Sequence, residues 1–381
     1  MSGSERDYAI WGFGFNGFGQ LNFPEGVGEK GKGSEVSNQF EIARLPAKSD
    51  NKVSQQQDEF AVCTPRKLAA FSTQPLLHIS SAWDALHCHA EGGGGHCVIT
   101  TGRWAKLREE VRQELASDEE IVQILEAKDV MLFQTTSRTL LTSLSSPHKL
   151  HLVDCNIPSD AILCSLSDGR IRALLDNRHV YQCSTDVSKG LSLNIQMNIG
   201  VPISHISCGA DHLLLLSRSG CVFSLGLGSR GQLGHGDILP REEPSLIDAL
   251  AGVTMKSVAC GSWHSLSLSE YGDVYSWGWN EHGQLGHSRG SHAVPLPTLI
   301  ESASGDENFT IISCGARHSA AVMEGGQLYT WGWNEYGQLG NGRVGGISAS
   351  PSQSKLLYRT SFVHCGHWNT VVMSDLHQFP W

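Results

Sequence analysis

Histidine and cysteine are the residues of this chain whose types and spacing could do chemistry. His212, His264 and His318 each stand four residues after a cysteine, at Cys208, Cys260 and Cys314. An imidazole that recurs so regularly invites a metal-bound or catalytic reading. A fourth copy begins at Cys365, but there Asn369 takes the histidine position. An amide cannot stand in for a metal-bound imidazole, whereas a hydrogen-bonding role tolerates the exchange. The repeated histidines are therefore assigned to bonding strand or loop backbone. A second set joins His87, Cys88 and His89 to His96 and Cys97 across the glycines at 92–95. Soft and imidazole ligands facing one another on a hairpin could hold zinc. Neighbouring strand residues point to opposite faces, so about half of them could converge. Neither set is read as a metal centre. The chain also lacks a Walker-type glycine loop, a nucleophile elbow and a His-x-x-x-His pair. No catalytic residue and no cofactor is assigned, and the chain is expected not to be an enzyme.

The elements that must position these residues follow from repetition. Ile206 to His212 recurs as Val258 to His264 and as Ile312 to His318, at intervals of 52 and 54 residues. In every copy a glycine comes eight residues after the histidine (Gly220, Gly272, Gly326), then an apolar-aromatic run ending in glycine, then Gly-Gln-Leu-Gly from Gly231, Gly283 and Gly337. Self-similarity at this period signals stacked supersecondary units. Inside a unit apolar and polar residues roughly alternate, as at Leu266, Leu268 and Val274, and Glu270-Tyr271-Gly272-Asp273 reads as a hairpin turn. Each unit is a small antiparallel sheet that cannot bury its faces alone; radial repetition hides them.

The fourth copy, from Val363 to Asn369, runs out of chain before its Trp-Gly and Gly-Gln-Leu elements. Ile10 to Leu21 supplies them, aligning without gaps on Val274 to Leu285. The expected fold is an all-β, seven-bladed propeller closed by pairing N-terminal and C-terminal strands in one blade, with 361–375 plus 8–21 as the split blade. Three clear repeats fill 203–341 and degenerate blades fill 72–185: Ile79 to Gly102, a strand over Ile124–Phe133, and Ile162 to Leu174 with a turn at Asp168-Gly169. A helix over 105–116 competes locally, because Leu107, Val111 and Leu115 share helical spacing. Residues 24–62, poor in large apolar side chains, read as a flexible excursion.

The Cys-Gly-x-x-His, Trp-Gly and Gly-Gln-Leu-Gly elements resemble the repeats of the regulator-of-chromosome-condensation family. The resemblance implies a seven-bladed propeller. The split blade and worn early repeats are similar to a short chromatin-associated member that partners a JmjC-type oxygenase. It further implies a nuclear, chromosomal binding scaffold with such an oxygenase as partner, histones as substrates and a role in chromosome segregation. The alternative is guanine-nucleotide exchange on a small nuclear GTPase, the founding member's activity, whose β-wedge and contact residues match no positions here.

Composition bounds these readings. The 28 Lys and Arg against 38 Asp and Glu leave a formal charge of -10, which disfavours direct nucleic acid binding and suits basic partners such as histone tails. No apolar run approaches the roughly 18 residues of a membrane span, so a soluble intracellular monomer is expected. Eleven cysteines, scattered about one per strand, read as small buried residues in a reducing compartment.

Within the template, Gly231, Gly283 and Gly337 are assigned to turns, Gln232, Gln284 and Gln338 to tying those turns to backbone, and Trp277 and Trp331 to the space between blades, where Leu225 stands in the first copy. Cys208, His212, Cys260, His264, Cys314, His318 and Cys365 complete the structural set. The position three after each cysteine varies: Asp211, Trp263, Arg317, Trp368, with Trp83 near the same place in a worn blade. Equivalent positions form an arc on one rim, and aromatic and Arg residues there resemble interface anchors. A second variable set runs through 227–230, 279–282 and 333–336.

Overall fold

The computed structural model describes residues 7–15, 61–72, 76–81, 85–92, 95–102, 121–127, 130–143, 153–155, 157, 161–165, 171–174, 179–186, 190–287, 292–301 and 307–376. Trp83, the competing helix over 105–116 and most of the 24–62 excursion lie outside them.

The described residues form an all-β propeller of antiparallel sheets that follow one another along the chain. Strands β1 (Asp7–Phe15) and β2 (Ala61–Ser72) belong to a sheet completed by the end of the chain. Next come a three-stranded sheet of β3 (Leu76–Ser81), β4 (Ala85–Gly92) and β5 (Gly95–Gly102), then four strands β6 (Ile121–Ala127), β7 (Val130–Thr135), β8 (Thr139–Ser143) and β9 (Val153–Asp154). Another four are β10 (Ile162–Ser165), β11 (Ile171–Leu174), β12 (His179–Asp186) and β13 (Gly190–Asn198). The clear repeats make β14 (Ile203–Cys208), β15 (His212–Ser217), β16 (Val222–Gly226) and β17 (Arg241–Leu246); then β18 (Met255–Cys260), β19 (His264–Ser269), β20 (Val274–Trp279) and β21 (Ala293–Leu299); then β22 (Phe309–Cys314), β23 (His318–Met323), β24 (Leu328–Trp333) and β25 (Ile347–Gln353). Last, β26 (Arg359–Cys365) and β27 (Asn369–Asp375) join the first two strands in the order β2-β1-β27-β26. Trp11 lies opposite Val372, and Gly14 opposite Asn369.

Two boundaries differ from expectation. The stretch read as one strand over 124–133 is two, β6 and β7, paired Glu126 to Met131, and the charged residues Glu126, Lys128 and Asp129 lie where the two meet in sequence. Strand β2 begins at Ala61, inside the expected excursion, because β1 exposes an edge that it covers with Ala61 opposite Phe15. In β19 the alternating serines and leucines are equally buried: Ser265, Ser267 and Ser269 are as buried as Leu266 and Leu268. An inner strand of a blade has a neighbouring blade against each face, and small hydroxyls fit the tighter side.

Cores lie between consecutive sheets. Trp277 packs with Leu214, Leu216 and Val258, Trp331 with Leu266, Leu268 and Ile312, and Phe13 with Ala320, Val322 and Val372. A Cβ at Gly234, Gly286 or Gly340 would meet the ring of Trp277, Trp331 or Phe13 respectively. Phe13 thus fills in the split sheet the space that Trp277 and Trp331 fill in theirs.

Candidate functional site: an aromatic and arginine rim

The rim is built by backbone before side chains enter. Gly278 and Gly332, both at φ 104°, stand one residue before the ends of β20 and β24 with positive φ. A Cβ at Gly278 would stand 2.7 Å from the Trp263 carbonyl oxygen, and one at Gly332 2.6 Å from that of Arg317. This close approach lets the next amide reach across: Trp279 N–H donates to the Trp263 carbonyl at 2.8 Å and Trp333 N–H to that of Arg317 at 2.9 Å. The two variable sets of the sequence are therefore cross-strand neighbours and make one surface.

On that surface the rings form a continuous run. Trp263 meets Trp279 edge-on at 5.3 Å, and Trp279 meets His282 at 5.2 Å. His282 lies 6.1 Å from Trp333, which contacts Trp368 at 4.9 Å and Tyr336 at 5.5 Å. Two guanidinium groups are set among the rings. Arg230 lies 4.3 Å over Trp263 and 4.7 Å over Trp279; Arg317 lies 5.5, 5.4 and 5.7 Å from Trp279, Trp333 and Trp368. Arg317 Nη1 donates to His282 Nε2 at 3.2 Å, and burial together with the Arg317 charge lowers the His282 pKa, so this imidazole is the neutral acceptor. All of these side chains are half-buried.

Of the residues singled out by position, Trp263, Arg317 and Trp368 come together here. Asp211 is linked at one remove: Gln232 Nε2 donates to its carboxylate at 3.0 Å while Gln232 Oε1 accepts from the Arg230 amide at 2.8 Å. Arg230, Trp279, His282, Trp333 and Tyr336 belong to the run through the second variable set, whose shared offset from the Trp-Gly or Leu-Gly element was the signal for them.

Beneath the rim the repeated histidines join one sheet to the next, not to backbone directly as expected. His212, His264 and His318 place Nε2 2.9 Å from the hydroxyls of Ser265, Ser319 and Thr370. Those hydroxyls donate to the carbonyls of Gln232, Gln284 and Gln338 at 2.9, 2.8 and 2.8 Å. With the hydroxyl proton so committed, each histidine must donate from Nε2. Complete burial lowers each histidine's pKa to about 3, which keeps the rings neutral. The indoles of Trp277 and Trp331 donate to the same Gln232 and Gln284 carbonyls at 2.9 Å. The glutamine side chains hold the turns, accepting from the amides of Arg230, His282 and Tyr336, and Gly231, Gly283 and Gly337 adopt positive φ.

Cysteines lie at the same junctions. Cys260 Sγ donates to the Ser207 carbonyl at 3.2 Å, and burial pushes the thiols of Cys260 and Cys365 up to about 12. Cys208 departs from the expected set of free thiols: it is disulfide-bonded. The His87–His89 and His96–Cys97 segments lie on paired strands in staggered register, His89 opposite Val98 and Cys97 opposite Ala90.

Propeller sheets carrying this repeated junction define a class, and comparison with known proteins agrees. Two family models for the regulator of chromosome condensation (RCC1) repeat match, one over residues 219–268, 271–322 and 325–373, the other over 203–232, 255–284 and 309–338. Residues 203–373 thus carry repeats similar to those of the RCC1 family. Among curated relatives, RCC1 domain-containing protein 1 of Mus musculus is 38% identical over 208 residues, which is 45% of this chain and 55% of that protein. The chain thus matches about half the length of such relatives. Among solved structures, human WBSCR16 is similar with a TM-score of 0.68 at 17% identity, covering 97% of this chain and 99% of that one. Prp20p from Saccharomyces cerevisiae, described with its binding to Gsp1p and histones, is similar with a TM-score of 0.66 at 16% identity over 97% and 92% of the two chains. At those identities the likeness is one of fold.

Proposed function

We propose that the protein is a non-enzymatic binding scaffold, a seven-bladed propeller closed in the sheet of β1 and β27, that captures a protein partner on its aromatic and arginine rim. One observation carries this reading: half-buried Trp263, Trp279, Trp333 and Trp368, contributed by three successive sheets, form a single connected surface with Arg230 and Arg317. Tryptophan and arginine are the residues that most often dominate interface energetics. Their cross-strand anchoring means that little side-chain freedom remains to be lost on binding.

The partner class is the one implied by the resemblance of the repeats to a chromatin-associated member of the family. The rim recruits a JmjC-type histone-modifying oxygenase to chromatin in the nucleus and supports chromosome segregation, with histones as the oxygenase's substrates. Trp83 extends the rim in a worn blade. Cys208, His212, Cys260, His264, Trp277, Gly283, Cys314, His318, Trp331, Gly337 and Cys365 are structural and touch no partner.

Affinity capture from nuclear extract with the wild-type chain and with W263A, R317A and W368A tests this. Loss of a JmjC-type oxygenase in folded variants is the expected result. Retention of every partner by all three removes the rim as the binding surface. Clear acceleration of nucleotide release from a small nuclear GTPase would instead establish the exchange-factor activity and overturn the scaffold reading.

A further inference from the structure

The rim's charge pattern says what it binds. Although the chain carries a net charge of -10, the connected surface places two arginines among its rings. Among the described residues neither Arg230 nor Arg317 has a carboxylate within ion-pair distance. Arg230 is stacked over Trp263 and Trp279, and Arg317 sits among Trp279, Trp333 and Trp368 and donates to a neutral histidine. The acidic residues nearby are committed or turned outward: Asp211 accepts from Gln232, and Glu281 and Glu335 are exposed. A guanidinium held over an indole still presents donors at its edge; Arg317 spends Nη1 on His282, and the remaining donors of the two groups are pre-set for contact with a carboxylate. The distant acidic charge is screened beyond roughly 8–10 Å at physiological salt. Single-stranded nucleic acid is the less suitable occupant, because the indoles meet edge to face and carry guanidinium groups over their rings, so they do not present the parallel stacking platforms that successive bases use.

We infer that the Trp/Arg rim recognises an acidic segment of its protein partner, Asp or Glu residues pairing with Arg230 and Arg317 while interspersed apolar side chains lie against Trp279 and Trp333. The inference rests on the scaffold reading and names the partner's chemistry. It reverses the expectation from net charge that this chain takes a basic ligand.

Fluorescence polarisation with three labelled probes tests it: a peptide of alternating Glu and Leu, the Lys and Leu counterpart, and oligothymidylate. The full chain should bind the acidic peptide, more weakly as salt rises. The R230A/R317A variant should bind about tenfold less tightly or worse, as expected when charge-assisted bonds are lost. R230K/R317K, which keeps the charge but not the planar fork, should recover only part. Circular dichroism and melting temperature establish that the variants are folded. Tighter binding of the basic peptide or of the oligonucleotide, or equal binding of the acidic peptide by wild type and R230A/R317A, overturns the inference. If the basic peptide binds and W279A abolishes it, the scaffold reading stands and only the charge assignment falls. If no peptide binds and R317A still captures every cellular partner, both fall.

Discussion

His264 in β19 and Ser319 in β23 face each other across two sheets at 2.9 Å, and the same contact joins His212 to Ser265 and His318 to Thr370. A repeated residue that suggests chemistry is thereby a fastener. Its proton is fixed on Nε2 by a hydroxyl that spends its own proton on a glutamine carbonyl.

Stability should fall with acid in a defined window. These histidines titrate near 6.5 when unfolded and at about 3 when folded, so above pH 6.5 their protonation contributes no pH dependence. Between those values only the unfolded chain takes up protons, and folding weakens by up to about 1.4 kcal/mol per pH unit for each histidine. Urea midpoints should be level from pH 8 to 7 and drop progressively from pH 6 to 4, less steeply in H264N. A midpoint unchanged between pH 7 and 5 contradicts the neutral fastener.

Replacing Trp331 by alanine removes a fully buried indole and its bond to the Gln284 carbonyl, at an expected cost of about 3–5 kcal/mol. Phenylalanine should restore much of this, since Phe13 fills the equivalent space in the split sheet. Denaturant unfolding checks the order wild type, W331F, W331A; an equal loss for both variants would mean the indole hydrogen bond dominates.

At Gly278 even a methyl group is too much. Its φ of 104° and the 2.7 Å from a Cβ to the Trp263 carbonyl predict that G278A loses about 1–3 kcal/mol. Near-ultraviolet circular dichroism should change as well, because the hydrogen bond from the Trp279 amide to the Trp263 carbonyl, which sets the two rings side by side, is broken. An unaltered spectrum argues against this glycine as the organiser of the rim.

The coupling of Arg317 to Trp333 can be measured without any partner. A double-mutant cycle of R317A and W333A should return about 0.5–1 kcal/mol, the range of a partly exposed cation–π contact. Thermal unfolding with additive losses would show that the guanidinium does not rest on the ring.

Removing residues 1–15 uncovers the edge of β27 that pairs with β1. Open edges template association, so light scattering should report aggregation at concentrations where the full chain is clear.

Repetition made the blades between 203 and 341 legible, since a period of about fifty survives substitution at individual positions. The joining of Trp11 to the Cys365 copy was equally readable, because the alignment has no gaps. The worn sheets were read only in part. In 124–133 the residues between β6 and β7 include no glycine or proline, so two strands looked like one. Cys208 could not be told from Cys260 and Cys314, because a disulfide depends on which sulfur stands opposite and all three occupy the same template position.

The sequence by itself determined the repeating unit, its split across the chain ends and the fixed positions at which side chains vary. Hydrophobic period and glycine placement are local properties, and they are written residue by residue. Only the tertiary structure decided that Trp263 and Trp279 share a surface, that Arg230 and Arg317 lie among the rings, and that the histidines bond neighbouring sheets. Those relations join residues of different strands and blades, and such distances exist only once the sheets have packed.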